Sequence, residues 1–388
     1  MESTMDDNKK IDVLPLLVPD IPEPQEILPF WERIHASRSY TNFGPLVKEL
    51  ETRFSEKFDL SNEFITTVAN ATLGLELVLQ ALNLPKDARI LVPAFTFVAT
   101  ATAVLRAGYQ AVLADVDADT WMLTPEIART ACAQTRIDAV MPVATFGMPH
   151  DMGAWELFEK ETGIPVVIDA AAAYGSQWLQ GKKGTLVFSL HATKSLPAVE
   201  GGVVVSTRPG LAEHVRQLSN FGINLNPAAG LPIGALSQCG TNAKMSEYHA
   251  AICLVSLQKW EQRAKQRRDL QAEMIQELDK ASAYRLTWQK SGTGGSLMAP
   301  TLLCARLPDQ VMRNQLEKNC KSANIMTRRW YQPLLSNMPA LHPPHTLCLD
   351  APHAQLLDKT LLGLPFFLEM NSSQKNRVIK IFEGLFQS

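Results

Sequence analysis

The chain has 388 residues, more than one compact hydrophobic core normally holds, and this length predicts roughly two domains. Apolar residues make up 46% and charged residues 20%, as in ordinary soluble globular proteins, and a formal net charge of −2 excludes an overall basic field for binding nucleic acid or anionic lipid. The six cysteines are scattered without a CxxC pair, which favours a reduced, cytoplasmic protein over a disulfide framework or a zinc site.

The start of the chain is polar and then dense in proline. Its first 20 residues lack a basic segment followed by a long apolar core, so we expect no signal peptide. Proline density over about the first 30 residues predicts an extended arm, which we assign to residues 1–38. No window holds the ~18 apolar residues that a membrane-spanning helix needs, so we expect no membrane partner.

From about residue 60 to 210, short apolar runs alternate with amphipathic stretches. The runs are nearly continuous in apolar residues, which is typical of strands covered on both faces. They occupy residues 64–68, 89–93, 111–116, 139–144, 165–170, 186–190 and 202–206. The amphipathic stretches include 72–82, 97–107, 124–133 and 151–162. This alternation predicts an α/β fold with a mainly parallel sheet in a large domain over residues 39–250, with ligands at the carboxyl ends of the strands.

After about residue 245 the pattern changes. The later segments are a long helical stretch at 245–281, a glycine-rich turn at 291–296, a strand-like run at 299–307 and a helical stretch at 309–322. They predict a smaller α+β domain over residues 251–388. Within the long helix, residues 259–270 interleave both signs of charge at helical spacing, which favours a solvated face over a nucleic-acid patch.

Other motif classes give little signal. The segment "HPPH" (342–345) lies near His353, but its prolines stiffen a loop and no carboxylate cluster accompanies it, so we predict no metal site. The sequence contains no GxGxxG, GxxxxGK[ST], GxSxG or HExxH motif. Dinucleotide dehydrogenases, P-loop enzymes and hydrolases therefore lack their usual sequence signals.

Lys194 lies in "FSLHATKSLPAVEGG" (188–202), a run that is otherwise mostly apolar, small or glycine-rich. A lysine at the end of a buried strand can simply extend its amine to water. Alternatively, the amine is placed inside a site where it does covalent chemistry. The stretch alone favours the first interpretation, and groups at other strand ends favour the second.

Two junctions between a strand and a helix carry further candidates. Residues 68–82 pass through small residues into a helix beginning near Thr72, whose N-terminus suits a phosphate, although Asn70 or Thr72 as a plain N-cap explains the pattern equally well. Phe95 and Phe97 follow the strand run 89–93. An aromatic ring there is able to lie against a planar cofactor, although such residues are more often core.

Asp169 ends a fully apolar strand run, where an unpaired carboxylate is costly. Its partner is either backbone, as in a helix cap, or a cation on a ligand, such as a protonated pyridine nitrogen. Lys194 follows 25 residues later, about one crossover and a strand, so both residues are expected at the same sheet edge. A helix end for a phosphate, a flat aromatic, an aspartate and a lysine, in this order, together predict a site for pyridoxal 5'-phosphate (PLP).

At these residues the chain resembles the DegT/DnrJ/EryC1/StrS family, the fold type I PLP-dependent aminotransferases that act mainly on nucleotide-linked keto sugars. The resemblance covers nearly the whole chain, and its most specific parts are "FGMPHDM", "FSLHATKSLPAVEGG", "GTNAKMSEYHAAI" and "TRRWYQPL". It implies that Lys194 is the Schiff-base lysine and that Asp169 is the partner of the pyridine nitrogen.

The same resemblance implies contacts for the rest of the cofactor. Phe97 corresponds to the aromatic residue stacked on the ring. Thr72 and Leu73 correspond to the pair whose backbone N–H groups hold the phosphate, and Ser189 to a further phosphate ligand. Asn242 and Lys244 lie where the family reaches across a dimer interface to the partner's cofactor, which implies an obligate homodimer with shared sites.

Four residues are candidates for contacts with the substrates. Arg328 and Arg329 suit an anion or hydroxyl groups, although surface arginines explain them equally well. Tyr331 and His191 are further candidates to line the pocket.

Two positions depart from the family pattern. Ala172 replaces the glutamine of "DAAQA", which in the family faces the phenolic oxygen of the cofactor, so that oxygen has to rely on water or another donor. Leu73 stands in "NATLGL", where "SGTSAL" is more usual, but its backbone N–H is unaffected. The family also contains sugar dehydratases in which histidine replaces the lysine, and Lys194 favours transamination.

The resemblance implies transfer of an amino group from glutamate to a keto sugar, most often a nucleotide-linked deoxysugar, by a ping-pong mechanism. Transamination of a keto-cyclitol or keto-sugar acid without a nucleotide is an alternative. A regulatory relative that binds PLP without turnover is another, although the intact pair of Asp169 and Lys194 argues against an inactive site.

Overall fold

The computed structural model describes residues 12–228, 230–293 and 299–386. Residues 1–11 of the predicted arm and residues 294–296 of the predicted glycine-rich turn lie outside the described residues. The strands found in the described ranges are β1 (Ile65–Val68), β2 (Arg89–Pro93), β3 (Gln110–Ala114), β4 (Ala139–Val140), β5 (Ile168–Asp169), β6 (Thr185–Ser189), β7 (Gly202–Ser206), β8 (Leu303–Arg306), β9 (Thr346–Cys348) and β10 (Leu361–Leu364).

The α-helices alternate with these strands in the first half of the chain and dominate the second half. In the same described ranges they are α1 (Pro24–Ser37), α2 (Pro45–Phe58), α3 (Ala71–Ala81), α4 (Val98–Arg106), α5 (Pro125–Gln134), α6 (Met152–Thr162), α7 (Leu211–Ser219), α8 (Glu247–Ala281), α9 (Gln310–Ser322), α10 (Pro352–Thr360) and α11 (Ser372–Phe386). In the part of the chain that the structure describes, none of these helices has the length and apolarity needed to cross a membrane.

A central sheet contains most of the strands. Its two halves have the orders β1-β7-β6-β5 and β4-β2-β3-β9, and parallel bridges from Val140 to Val166 and from Val143 to Asp169 join them. Among the described residues of these two halves, β7 is antiparallel to both of its neighbours, β1 and β6. The other strand pairs are parallel. Each of the seven predicted strand runs overlaps a strand, and the predicted mainly parallel α/β fold is confirmed.

The C-terminal part of the chain contributes to two sheets. Strands β8 and β10 pair antiparallel and pack with α9 and α11, while β9 joins the edge of the central sheet beside β3. Strand β9 therefore extends the large sheet although residues 346–348 fall within the segment predicted as the small domain. The division of the chain near residue 250 stays a prediction.

The N-terminal segment differs from the expectation. We predicted an extended arm over the first 30 residues, but helix α1 begins at Pro24, so this prediction is wrong for residues 24–37. A proline in the first helical turn loses no intrahelical hydrogen bond, because the N–H groups there have no carbonyl partner. Glu23 and Glu26 form a capping box that satisfies the first amides of the helix.

Helix α3 lies directly against the sheet because glycine permits a close approach. A Cβ atom on Gly202 would lie 2.8 Å from the backbone nitrogen of Ala71. On the same helix, a Cβ on Gly74 would lie 3.0 Å from the Val187 side chain. The missing side chains allow the N-terminus of α3 to lie at the edge of the sheet where the parallel strands end.

A buried carboxylate joins helices α2 and α8. Glu247, the first residue of α8, accepts hydrogen bonds from the backbone N–H groups of Leu46 (2.7 Å) and Val47 (2.9 Å) in the first turn of α2. These amides have no intrahelical partner, and the positive end of the helix dipole favours a carboxylate at this place. The contact ties the start of α2 to the start of the long helix α8.

We expect Glu247→Ala to destabilise the folded protein by about 2–3 kcal/mol, because two buried N–H groups lose their acceptor. Urea denaturation at one fixed protein concentration measures the change in the free energy of unfolding. Glu49→Ala is the matched control, since Glu49 of α2 pairs with Arg33 at the surface and exposed pairs contribute little. Equal stability of the two variants would contradict the assigned role of Glu247.

Candidate active site

A cavity of about 650 Å³ lies at the edge of the sheet where the parallel strands end. Its wall includes the ends of β5 and β6 and the first turns of α3 and α4. Nine of the residues selected from the sequence line it: Thr72, Leu73, Phe97, Asp169, Ser189, His191, Lys194, Arg328 and Tyr331. Three do not line it: Asn242, Lys244 and Arg329.

Asp169, the last residue of β5, is buried, with 4% of its surface exposed. One carboxylate oxygen accepts a hydrogen bond from the Thr100 hydroxyl (2.8 Å) and the other from the Ala171 backbone N–H (3.1 Å). Burial raises the pKa of the Asp169 carboxyl, while these two donors and the charge of Lys194 oppose that rise. The carboxylate is held in a defined orientation towards the cavity.

Lys194 lies in a loop that follows β6 and is closed by a hydrogen bond from the Leu190 N–H to the Gly201 carbonyl (2.9 Å). Its own backbone N–H donates to the His191 carbonyl (2.9 Å), which fixes the turn that carries the side chain. Burial lowers the pKa of the Lys194 ammonium, and the charge of Asp169 opposes this effect. Because the neutral amine is the nucleophile, this environment favours covalent chemistry at Nζ.

The start of α3 forms part of the cavity wall. Asn70 is the N-cap, and its side-chain oxygen accepts a hydrogen bond from the Leu73 N–H (2.9 Å). The capping interpretation is thus correct for Asn70, and the Leu73 amide assigned to a phosphate already has a partner. Thr72 lies in the first turn, where amides lack intrahelical acceptors. Ser189 lies nearby on the wall, and its hydroxyl accepts a hydrogen bond from the His191 N–H (3.2 Å).

Of the aromatic candidates, one lies in the core and two line the cavity. Phe95 is fully buried, whereas Phe97, the N-cap of α4, is 49% exposed and lines the cavity. Tyr331 packs beside both rings, with its ring centroid 5.4 Å from that of Phe95 and 6.3 Å from that of Phe97. Phe97 is therefore the ring that is free to contact a planar ligand.

The three remaining candidates have partners outside the cavity. The Arg329 guanidinium pairs with the Glu317 carboxylate, with Nε 3.0 Å from both oxygens. The Lys244 amine donates to the Asn242 side-chain oxygen (2.7 Å) and lies 4.4 Å from the Phe221 ring centroid. The structure does not bring Arg329, Asn242 or Lys244 into the cavity of their own chain.

Sequence reasoning missed several residues of the site. Thr100 holds Asp169, and the Thr96 and Thr100 hydroxyl oxygens are 3.2 Å apart. Thr96 lies just before α4 and Thr100 in its first turn, and their spacing of four residues is the signal that the sequence offered. Glu200 also lines the cavity, with its carboxylate 3.7 Å from His191 Nε2.

Comparison with known proteins gives a consistent result. A family model described as the DegT/DnrJ/EryC1/StrS aminotransferase family matches residues 23–383. Protein Rv3402c of Mycobacterium tuberculosis is 32% identical over 271 residues, which are 66% of this chain and 63% of that protein. The match thus spans less than two thirds of the length of this curated relative.

Solved structures share the fold over almost the whole chain. A Bacillus cereus ATCC 10987 protein described as a presumed PLP-dependent aminotransferase is 26% identical, with a TM-score of 0.85 over 96% of this chain and 100% of the other. DesI, solved in the presence of its TDP-sugar product, is 28% identical, with a TM-score of 0.83 over 97% of this chain and 93% of the other.

We expect Thr100→Val to weaken PLP binding by about 10-fold, because it removes a hydrogen bond to a charged group and thereby raises the pKa of Asp169. Titration of the apoprotein with PLP, followed by absorption, measures the dissociation constant. Thr102→Val is the control on the same helix, since the Thr102 hydroxyl donates to the Ala99 carbonyl instead. An unchanged PLP dissociation constant in Thr100→Val would show that Asp169 does not depend on this donor.

Proposed function

Because this chain belongs to the DegT/DnrJ/EryC1/StrS aminotransferase family, we propose that it transfers an amino group from glutamate to a nucleotide-linked keto sugar. The predicted family, fold, enzyme class and PLP cofactor are confirmed. The observation that carries the proposal is that Lys194 and Asp169 line one cavity with the N-terminus of α3. The TDP-sugar product of DesI supports a nucleotide-linked acceptor.

The residues present in the cavity fit PLP. The start of α3 and the Ser189 hydroxyl suit its phosphate, Phe97 suits its ring, and Asp169 suits its pyridine nitrogen. When bound, PLP supplies an aldehyde that captures amines and a ring that withdraws electrons. Ala172 lines the cavity without a side-chain donor, so this position offers nothing to the phenolic oxygen of the cofactor.

Asp169 and Lys194 divide the proton chemistry between them. Asp169, held by the Thr100 hydroxyl and the Ala171 N–H, would keep the pyridine nitrogen of bound PLP protonated. The Lys194 amine, whose ammonium pKa is lowered by burial, accepts and returns a proton at Nζ as general base and then general acid. The same groups serve both half-reactions, which predicts ping-pong kinetics.

We further propose a homodimer in which Asn242 and Lys244 contribute to the cavity of the partner subunit. Both residues lie outside the cavity of their own chain. The neighbouring segment exposes five large apolar side chains, as expected of an interface: Phe221, Leu225, Leu231, Ile233 and Leu236. The family resemblance assigns Asn242 and Lys244 the same role.

We expect the purified protein to show a visible absorption band from bound PLP that glutamate bleaches. In Lys194→Ala, glutamate should not bleach this band at a comparable rate, because Nζ no longer moves the proton. Lys182→Ala is the control, since Lys182 lies at the surface near Glu156. Absence of a band after addition of PLP, or equal bleaching in Lys194→Ala, would refute the proposed role.

Enzyme that glutamate has bleached is then mixed with different amino acceptors, and the return of the visible band is compared. A nucleotide-linked keto sugar should restore the visible band, while the free keto sugar or a keto-cyclitol should restore it poorly. Restoration by the cyclitol alone would favour the alternative without a nucleotide. Restoration by none of a panel of acceptors, after bleaching by glutamate, would leave the acceptor proposal unsupported.

Shared sites predict complementation between two inactive variants. Lys194→Ala and Lys244→Ala should each lose activity alone, and a refolded equal mixture should regain about a quarter of the wild-type activity, because half the dimers are hybrids with one intact site. Size-exclusion chromatography checks the dimer. If the mixture stays inactive while dimers form, Lys244 does not act across the interface.

A further inference from the structure

Arg328 is a cation on the cavity wall without a carboxylate partner among the described residues. The other cationic groups on that wall are already accounted for. Arg106 pairs with Glu76 (2.8 Å), and His191 faces Glu200 (3.7 Å). Lys194 is the reactive amine. Arg328 is thus a permanent positive charge available to a ligand.

The surrounding structure holds Arg328 in place. Its backbone N–H donates to the Gly363 carbonyl (3.1 Å) and its carbonyl accepts from the Gly363 N–H (2.8 Å), so the residue is paired with strand β10. Its guanidinium carbon lies 4.2 Å from the Trp330 ring centroid. A Cβ on Gly363 would lie 2.4 Å from Trp330 Nε1, so glycine is what allows this indole to pack against β10.

A guanidinium over an aromatic ring keeps N–H donors at its edge. Its face is engaged with the ring, and the forked N–H groups at the edge match the two oxygens of a carboxylate. Arg329, the next residue, shows the same chemistry within the chain, since it is already paired with the Glu317 carboxylate. Of the two adjacent arginines, only Arg328 lines the cavity.

The charge of the cavity indicates which ligand needs this cation. Asp169 and Glu200 line the wall, and a bound PLP adds its phosphate. The cations on the wall other than Arg328 are already engaged, so a dicarboxylate amino donor, which carries a net negative charge, is repelled by Glu200 and by the phosphate. A fixed cation offsets that repulsion, and the planar guanidinium of an arginine also orients the carboxylate of the amino donor.

We propose that Arg328 binds a carboxylate of the amino donor. The inference rests on the proposed function, because it concerns the donor half-reaction of that site. It assigns the donor class as carboxylate-bearing and separates Arg328, a specificity residue, from Arg329, a structural one.

The first test follows bleaching of the visible band of the holoenzyme at increasing glutamate concentration. In Arg328→Gln the half-saturating concentration should rise about 10- to 100-fold, with a smaller change in the rate at saturation, because an ionic hydrogen-bonded contact is lost. Arg328→Lys keeps the positive charge but loses the paired N–H donors, so its half-saturating concentration should lie between those of the wild type and Arg328→Gln. Arg329→Gln should match the wild type. A visible band of wild-type intensity in each variant verifies folding and cofactor loading.

The second test needs no turnover. Calorimetric titration of the holoenzyme with glutarate, which has the carboxylates of glutamate but no amine, should show binding that weakens in Arg328→Gln and persists in Arg329→Gln. Titration with UDP probes the other source of anionic oxygens, the diphosphate of the acceptor. Weakened UDP binding with unchanged glutarate binding would overturn the proposal, as would equal loss of both ligands or loss of neither.

The two tests also separate this inference from the proposed function. If glutamate fails to bleach the wild-type band, the proposed transamination from glutamate fails, whereas the glutarate titration still reports on Arg328. If glutamate bleaches the band and Arg328→Gln responds as the wild type does, the proposed function stands and the inference is wrong.

Discussion

The carboxylate of Asp169 lies in the protein interior, where a negative charge is costly unless donors and a cation compensate it. The protein supplies the Thr100 hydroxyl, the Ala171 N–H and, farther away, the charge of Lys194. A cationic ring nitrogen would complete this set. The rest of the site is arranged around that requirement, because the strand that carries Asp169 and the strand that precedes Lys194 are parallel neighbours ending at one edge.

Close packing of α3 on the sheet completes the other end of the cavity. Gly202 removes the side chain that would keep Ala71 away from β7, and Asn70 closes the first turn of the helix. The first turn of α3 therefore lines the same cavity as Lys194. A carboxylate for a cation and a helix N-terminus for an anion line one cavity, which fits a ligand that carries both charges.

The C-terminal part of the chain also contributes to the cavity wall. Arg328, Trp330 and Tyr331 lie between α9 and β9, and β9 pairs with the edge of the central sheet. This pairing links the segment to the sheet whose strand ends carry Asp169 and Ser189. The position of Arg328 therefore depends on two sheets, through β10 on one side and β9 on the other.

The sequence by itself determined the alternation of strands and helices between about residues 60 and 210 and the mainly parallel sheet, and it selected nine of the residues that line the cavity. Continuous apolar runs identify strands covered on both faces, and a charged residue such as Asp169 at the end of such a run has few explanations. The N-terminal helix escaped prediction, because Pro24 reads as a breaker in sequence and is tolerated in a first turn.

Only the tertiary structure decided which of two adjacent arginines lines the cavity. Arg328 and Arg329 are equivalent in sequence, yet Glu317 from α9 pairs with the second and leaves the first beside Trp330. The tertiary structure also decided two other contacts between distant segments. Thr100 bonds to Asp169 across 69 residues, and β9 pairs with β3. Local propensity and periodicity carry no information about such partners, because they are set by how distant elements pack.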